Sequence, residues 1–178
     1  MAKVKKASES LTVMTNIVLP NDTNQLRNLF GGELLARMDR CASISATRHC
    51  ERRVVTASVN HVSFDYPIPE GGIVVMESKV SRAFSTSMEI YVDVWLDDPI
   101  NRKKTQTNKG IYTFVAVDEF NRPIPIPEME PETELEKERF DAALRRKELS
   151  LILSGRMKAS ESVELKKLFE EPQDSIEK

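Results

Sequence analysis

Cysteine and histidine are nearly missing from this chain. Two cysteines, Cys41 and Cys50, stand among 178 residues. They can form no disulfide framework and have no zinc-ligand spacing, so no metal site is expected. They read as reduced thiols, which makes a cytoplasmic location the expectation. The two histidines are isolated. His61 reads as a strand residue that packs or faces solvent, and His49 as one favoured by the dipole near a helix C-terminus. No apolar run reaches the length of a membrane span. The N-terminal segment lacks the apolar core of a signal peptide. Neither charge sign dominates: 26 Lys+Arg stand against 28 Asp+Glu, for a net charge of -2. That argues against a nucleic-acid binder working through a broad positive field.

What is present fits a compact fold. Hydrophobic residues at 40% and charged residues at 30% suit one domain with a sizeable core. Leu11 to Leu19 reads as a strand, broken by Pro20, Asn21 and Asp22. Gly31 to about Arg48 reads as a helix. Small residues (Ala36, Ala42, Ser43, Ser45, Ala46) fill much of its circumference, as in a helix that something wraps closely. Val54 to Phe64, Ile73 to Ala83, Met88 to Leu96 and Thr105 to Val117 read as strands, the third by strict alternation. Their short connections favour an antiparallel sheet. Pro123 to Pro127 closes the sheet region. Glu132 to about Leu153 reads as a charged helix. The chain beyond Gly155 reads as a solvated, partly disordered extension or one docking on a neighbouring subunit. The expected division is a tail over 1–10, a folded domain over 11–130 and a helical, partly disordered extension over 131–178.

The segment Asn28-Leu29-Phe30-Gly31-Gly32 opens the helix, and Asp39 lies two turns into it. Paired glycines at a helix start leave backbone N–H groups open to a ligand. Those groups sit at the positive end of the helix dipole, which suits an oxygen gaining negative charge. Asp39 has apolar neighbours on both sides, so its carboxylate is either paired, with Arg37 or Arg40, or working. Asn28 reads as an N-cap, as a group that positions water or a carbonyl, or as both. Ser43 reads either as a hydrogen-bonding partner for that water or as a helix serine bonding back to its own chain.

A strand, a buried helix and a run of antiparallel strands suit one sheet curled around one helix. Asn28-x-Phe30-Gly31-Gly32, Met38-Asp39 and Tyr112-Thr113-Phe114-Val115-Ala116-Val117-Asp118 resemble the hotdog-fold acyl-CoA thioesterases, in particular the cytosolic acyl-CoA hydrolase group. The resemblance covers roughly Leu11 to Pro127. It implies an α+β hotdog fold and hydrolysis of acyl-CoA, with CoA as part of the substrate and no separate cofactor. It also implies a homodimer with shared sites, which in the family often assembles further into trimers of dimers. Several relatives fuse two copies of the domain, and this chain carries one.

Geometry asks for the dimer independently. Gly32 and Asp39 lie about 10 Å apart along a helix, too far for one thioester carbon to sit near both. Two antiparallel copies of the helix bring the N-terminus of one against Asp39 of the other, giving two composite sites. The Gly32 amide, with Gly31 as backup, then activates the carbonyl, and Asp39 acts as general base or nucleophile. Lys79, Arg82, Ser85, Thr86 and Ser87 cluster at a strand turn, and this region resembles the family segment that runs past the CoA phosphates and pantetheine, which makes them candidates for that contact. Arg102, Lys103 and Lys104 form a second basic cluster that reads as a solvated loop. Phe64, Ile68 and Met88 are candidate pocket-lining residues. Two other classes stay open. One is a non-catalytic acyl-CoA binder, which would not need Asp39. The other is a hotdog hydratase or dehydratase, which would want a histidine with a carboxylate as its acid–base pair, and no histidine lies in or just before the start of the central helix.

Overall fold

A computed structural model describes residues 4–170. The readings of residues 1–3 and 171–178 as tails lie outside it. The chain divides after Glu132 into two units.

In the first unit the strands are β1 (Val4–Lys6), β2 (Thr12–Ile17), β3 (Arg53–Phe64), β4 (Ile73–Ala83), β5 (Ser87–Asp98), β6 (Lys103–Val117) and β7 (Glu128–Glu130). The helix α1 spans Gly31–Cys50. Five strands form one antiparallel sheet in the order β2-β4-β5-β6-β3. α1 packs against all five. Alternation decides which side chains meet it. Val74, Met76 and Val80 of β4, and Met88, Ile90, Val92 and Val94 of β5, are fully buried, while the residues that alternate with them, such as Glu77, Lys79, Tyr91 and Asp93, face outward. β6 carries Gly110, Tyr112, Phe114 and Ala116 on the same inner side. A Cβ on Gly110 would lie 2.5 Å from Met38 Cε and 3.1 Å from Tyr112. The bare backbone there is the seat of Met38, and it lets the helix come close.

α1 begins at an N-cap residue, Phe30, that supplies no side-chain cap. Glu33 in the first turn complements the dipole. The helix ends where Glu51 turns left-handed at φ 55°. Lys5 stabilises that end: its Nζ donates to the Arg48 carbonyl at 2.9 Å and pairs with Glu51 at 2.7 Å.

The main strands and α1 match the sequence reading closely. The N-terminal segment differs. Residues 4–10, expected as a tail, form β1 and a short 3-10 turn, with Lys5, Ala7 and Ser10 buried. β1 pairs in parallel with β7, which follows the proline run and was not read from the sequence. Strands of three residues are too short for alternation to reveal. The proline run is held by Ile124 N–H to the Ala116 carbonyl and Ile126 N–H to the Ser85 carbonyl.

β3 is an edge strand of the sheet. It is long, mostly exposed and bears Val55, Val59 and Phe64 outside the core. Its register against β6 shifts twice, at Ala57 and at Asn60. The second unit holds α2 (Glu134–Leu153) and α3 (Glu164–Glu170). A capping box of Thr133 and Glu136 starts α2. Glu148 accepts from Ser162 and from the Glu164 and Leu165 N–H groups, which ties the start of α3 to α2. Among the described residues no helix is long and apolar enough to cross a membrane.

His49 departs from its sequence reading as a favoured C-terminal cation. It is fully buried. Its Nε2 donates to the Pro127 carbonyl at 2.9 Å, because a carbonyl oxygen only accepts. Nδ1 is then an unprotonated nitrogen with no partner among the described residues. Burial above all, and Lys5 beside it, hold the imidazole below its ordinary 6.5, against the opposing Pro127 bond and Glu9. Below that pH the unfolded chain binds more protons than the native one. Stability should therefore fall as pH drops below 6.5, and His49→Gln should flatten the dependence. Urea unfolding at a series of pH values measures this; equal slopes in both proteins would remove His49 from the account.

Candidate active site

The Gly31-Gly32 pair does sit at the helix start. A Cβ on Gly32 would meet only the Phe30 ring, at 3.6 Å, and one on Gly31 only the Phe64 ring, at 3.5 Å. Space alone does not demand glycine here. The amides of the first turn are what the pair leaves open, since they have no intrahelical acceptor.

Asn28 lies two residues before the N-cap, so the capping reading does not hold. Its backbone is held by Asn24: Asn28 N–H donates to Asn24 Oδ1 at 3.2 Å, and the Asn28 carbonyl accepts from Asn24 N–H at 2.8 Å. Its side-chain amide has no hydrogen-bond partner among the described residues. The same loop borders an open depression of about 500 Å³ lined by Thr23, Asn24, Gln25, Leu26 and Phe30.

Asp39 is half-buried and pairs with no cation among the described residues. Its neighbours are engaged elsewhere. Arg37 binds Asp22 at 2.6 Å and Glu33 at 3.0 Å, and Arg40 reaches Glu33 at 3.8 Å. The partner of Asp39 is Thr56, whose hydroxyl donates to Oδ1 at 2.9 Å. Thr56 stands at the first register shift of β3. Thr56 lies opposite the buried Phe114 in the unshifted register that runs from Arg53, so plain alternation points it toward the helix, and the extra residue follows it. Beneath lies Tyr112, whose hydroxyl donates to the Leu35 carbonyl at 3.2 Å. Burial, and then the Asp39 carboxylate, push the Tyr112 phenol well above its ordinary range, so it stays a neutral donor.

Sequence reasoning missed Thr56. A threonine in a β-branched strand carries no local signal, and its meeting with Asp39 depends on strand register that composition does not reveal. Ser43 bonds back into its own helix, its hydroxyl donating to the Arg40 carbonyl at 2.8 Å. Ile68 and Met88 are buried in the packed interior, and Phe64 stays half-exposed over Gly31.

The basic cluster is not brought to the helix start within one protomer. Ser78 faces α1, where it bonds Cys41 and Ser45. Alternation turns Lys79 to the opposite face. The register shift at Ser81 puts Arg82 opposite Glu89 on that same outer face, with its guanidinium 5.9 Å from the Phe84 ring. Ser85, Thr86 and Ser87 form the turn between β4 and β5. Ser87, Val115 and Val55 lie in one row, adjacent to the row of Met88, Phe114 and Thr56. The turn therefore shares the Asp39 end of the sheet. Lys104 is engaged by Glu77 at 2.6 Å and by the Trp95 ring. No cluster of metal-ligating side chains occurs among the described residues.

A carboxylate without a cation, a threonine that orients it and an open helix start on the same helix make an acyl-transfer constellation. Comparison with known proteins decides the family. Residues 26–101 match the model of the thioesterase superfamily. Protein VdlD of Helicobacter pylori is 37% identical over 146 residues, covering 82% of this chain and 83% of that protein. The chain belongs to the thioesterase superfamily. YkhA of Bacillus subtilis, named as an acyl-CoA thioester hydrolase, is 41% identical over 138 residues, covering 78% of this chain and 80% of YkhA. The acyl-CoA hydrolase of Staphylococcus aureus, solved with butyryl-CoA and CoA, is 35% identical with a TM-score of 0.81. That match covers 94% of this chain and 97% of the other. The fold is therefore the hotdog of that superfamily. The same S. aureus enzyme has been solved with an aspartate, an asparagine or a threonine replaced by alanine.

The Asp22–Arg37–Glu33 network is what ties the Asn28 loop to this thioesterase's central helix. Asp22 also accepts from Leu19 N–H at 2.8 Å, and its carbonyl accepts from Phe30 N–H at 2.8 Å. Asp22→Ala leaves the buried Arg37 guanidinium short of a partner. The variant should melt several degrees lower and exchange the amides of residues 24–30 faster. Unaltered exchange there would mean that the loop is held without Asp22.

Proposed function

We propose that this protein hydrolyses acyl-CoA thioesters as a homodimer with two composite active sites. The carrying observation is Asp39, a helix carboxylate with no cation partner among the described residues, oriented by Thr56 on the helix whose glycine start is open. Each site takes Asp39 and Thr56 from one protomer and the Gly32 amide from the other. The exposed edge of β3 supports the two-fold: a second β3 beside it continues the sheet and covers unpaired backbone. It also sets Thr56, and with it Asp39, close to the join. Hexameric acyl-CoA thioesterases among the structural relatives are consistent with further assembly into a trimer of dimers.

The chemistry follows from the geometry. Thr56 occupies Oδ1 of Asp39 and leaves Oδ2 for a water. Asp39 takes a proton from that water as its oxygen attacks the thioester carbon. Negative charge forms on the carbonyl oxygen and meets the Gly32 N–H at the positive end of α1. Asn28, whose side chain is otherwise unpartnered, holds the water or the carbonyl in line. The tetrahedral intermediate collapses, the carbon–sulfur bond breaks, and the proton on Asp39 passes to the CoA thiolate. A mixed anhydride on Asp39 is the competing route. A single turnover in heavy-oxygen water tests the first route: label inside Asp39 would overturn the general-base reading.

CoA is then the carrier half of the substrate, and no further cofactor is required by this reaction. Lys79, Arg82 and the Ser85–Ser87 turn are the proposed contacts for its phosphates and pantetheine. They lie on the outer face and at the Asp39 end, so the long CoA arm would run over the sheet rim. Residues 11–130 carry the reaction, and residues 131–178 are an extension. The cytosolic acyl-CoA hydrolases among the relatives support a cytoplasmic location.

Asp39→Asn keeps the shape and the Thr56 contact and removes the base, so turnover should fall at least about 100-fold. A loss under about tenfold would make Asp39 a structural acid. Thr56→Val should lower kcat by about tenfold and leave KM near that of the parent, since it acts only through Asp39.

Mixing Asn28→Ala with Asp39→Ala subunits tests whether the sites are shared. Each variant alone should be nearly inactive, and exchange should restore one intact site per heterodimer. Verified exchange without recovery would place both residues in one protomer's site.

Arg82→Ala and Lys79→Ala should raise KM for acyl-CoA more than they lower kcat, and should barely affect the truncated acyl-pantetheine, which lacks the adenosine phosphates. Equal weakening of both substrates would move the phosphate site elsewhere.

A further inference from the structure

The reaction just described leaves one polar group beneath α1 without a use. Asn108, on β6, is 1% exposed. Its Nδ2 donates to the Ser63 carbonyl at 3.2 Å. That bond assigns the two ends of the amide, so the other end is an acceptor. This Oδ1 is buried and has no hydrogen-bond partner among the described residues. A buried acceptor in apolar surroundings is costly unless something satisfies it.

Its position points to the substrate. Asn108 lies opposite Phe64 of β3 and Val94 of β5 in the sheet register. Directly opposed residues project from the same face. Val94 is in the core, and Gly110, two residues on, lies under Met38. The shared face is therefore the helix face. The Phe64 ring is in turn what a Cβ on Gly31 would meet at 3.5 Å. The first turn of α1, the Phe64 ring and the Asn108 amide thus follow one another inward from the place where Gly32 would hold the thioester carbonyl.

We propose that Asn108 is a specificity-determining residue that sets a polar stop at the inner end of the acyl space, so that the enzyme favours short acyl chains. The inference rests on the acyl-CoA reading above. With a short acyl group bound, Oδ1 keeps a water as its donor. A longer alkyl chain passing Phe64 presses methylenes against Oδ1, displaces that water and returns no hydrogen bond. The loss is charged to long chains only, because short ones do not reach the amide.

The test compares butyryl-CoA with lauroyl-CoA in the full-length protein. The parent should prefer butyryl-CoA. Asn108→Val removes the acceptor with a small apolar side chain, and should raise the lauroyl-to-butyryl ratio of kcat/KM at least about tenfold. Asn108→Ala carries the same expectation should the valine variant fail to fold. A purely structural role would depress both substrates together and leave the ratio where it was. An unchanged ratio, or a parent that already prefers lauroyl-CoA, overturns the proposal. Affinities for the non-hydrolysable thioether analogues of the same two chains read the ratio without turnover. If the parent hydrolyses neither substrate, the function above fails, while the affinity ratio still decides the role of Asn108.

Discussion

The contact on which the rest of the structure depends is Met38 resting on the bare backbone of Gly110. A helix can lie close to a curled sheet only where side chains between them are small or absent. Gly110 supplies that gap, and Met38 and Tyr112 fill what remains of it. Close approach then lets Tyr112 reach the helix carbonyl of Leu35 and lets Thr56 reach Asp39. Both are long-range bonds between strand and helix, and both would be lost if the helix stood off by the width of a methyl group.

Burying α1 also puts polar groups inside, and the structure handles most of them with short networks. Cys41, Ser45 and Ser78 share hydrogen bonds across the helix–sheet seam, with Ser45 and Ser78 hydroxyls 2.6 Å apart. Arg37 divides itself between Asp22 and Glu33, with its Nη1 left without a partner among the described residues. Lys5 serves the carbonyl end of the helix. A polar group inside a protein stabilises only when its partners are complete, so each network fixes one packing arrangement. The side-chain atoms left without partners, among them Asn108 Oδ1 and His49 Nδ1, stand out against this background. One lies below the helix start and the other at its far end.

The two ends of α1 are thus treated differently. At the C-terminal end, Lys5, Arg48 and the Pro127 carbonyl close around the helix. At the N-terminal end no side chain caps the helix, and the surrounding aromatic rings of Phe30 and Phe64 remain half-exposed. A closed end is a structural device. An open one keeps the dipole and its amides available to a ligand.

The sequence alone determined the elements and the chemistry-bearing segment. β-branched alternation and short polar turns marked the sheet, and the small-residue helix with its Gly31-Gly32 start and Asp39 marked the reacting end. Such features depend on neighbours within a few residues, which is why they can be read along a chain. Tertiary structure decided what depends on residues far apart. The seventeen-residue gap between Asp39 and Thr56 closes because the register of β3 against β6 sets the threonine opposite Phe114, on the face that the helix covers. Arg37 was drawn away from Asp39 by Asp22, a loop residue with no local claim on it. His49 became a buried neutral donor because a proline run returns across the helix end. Lys79 and Arg82 were turned to the outer face by the parity of β4 and one extra residue in it. The strand outcomes among these are a matter of register, since a shift of one residue reverses the face a strand residue presents, and the helix contacts depend on loops that return from far along the chain.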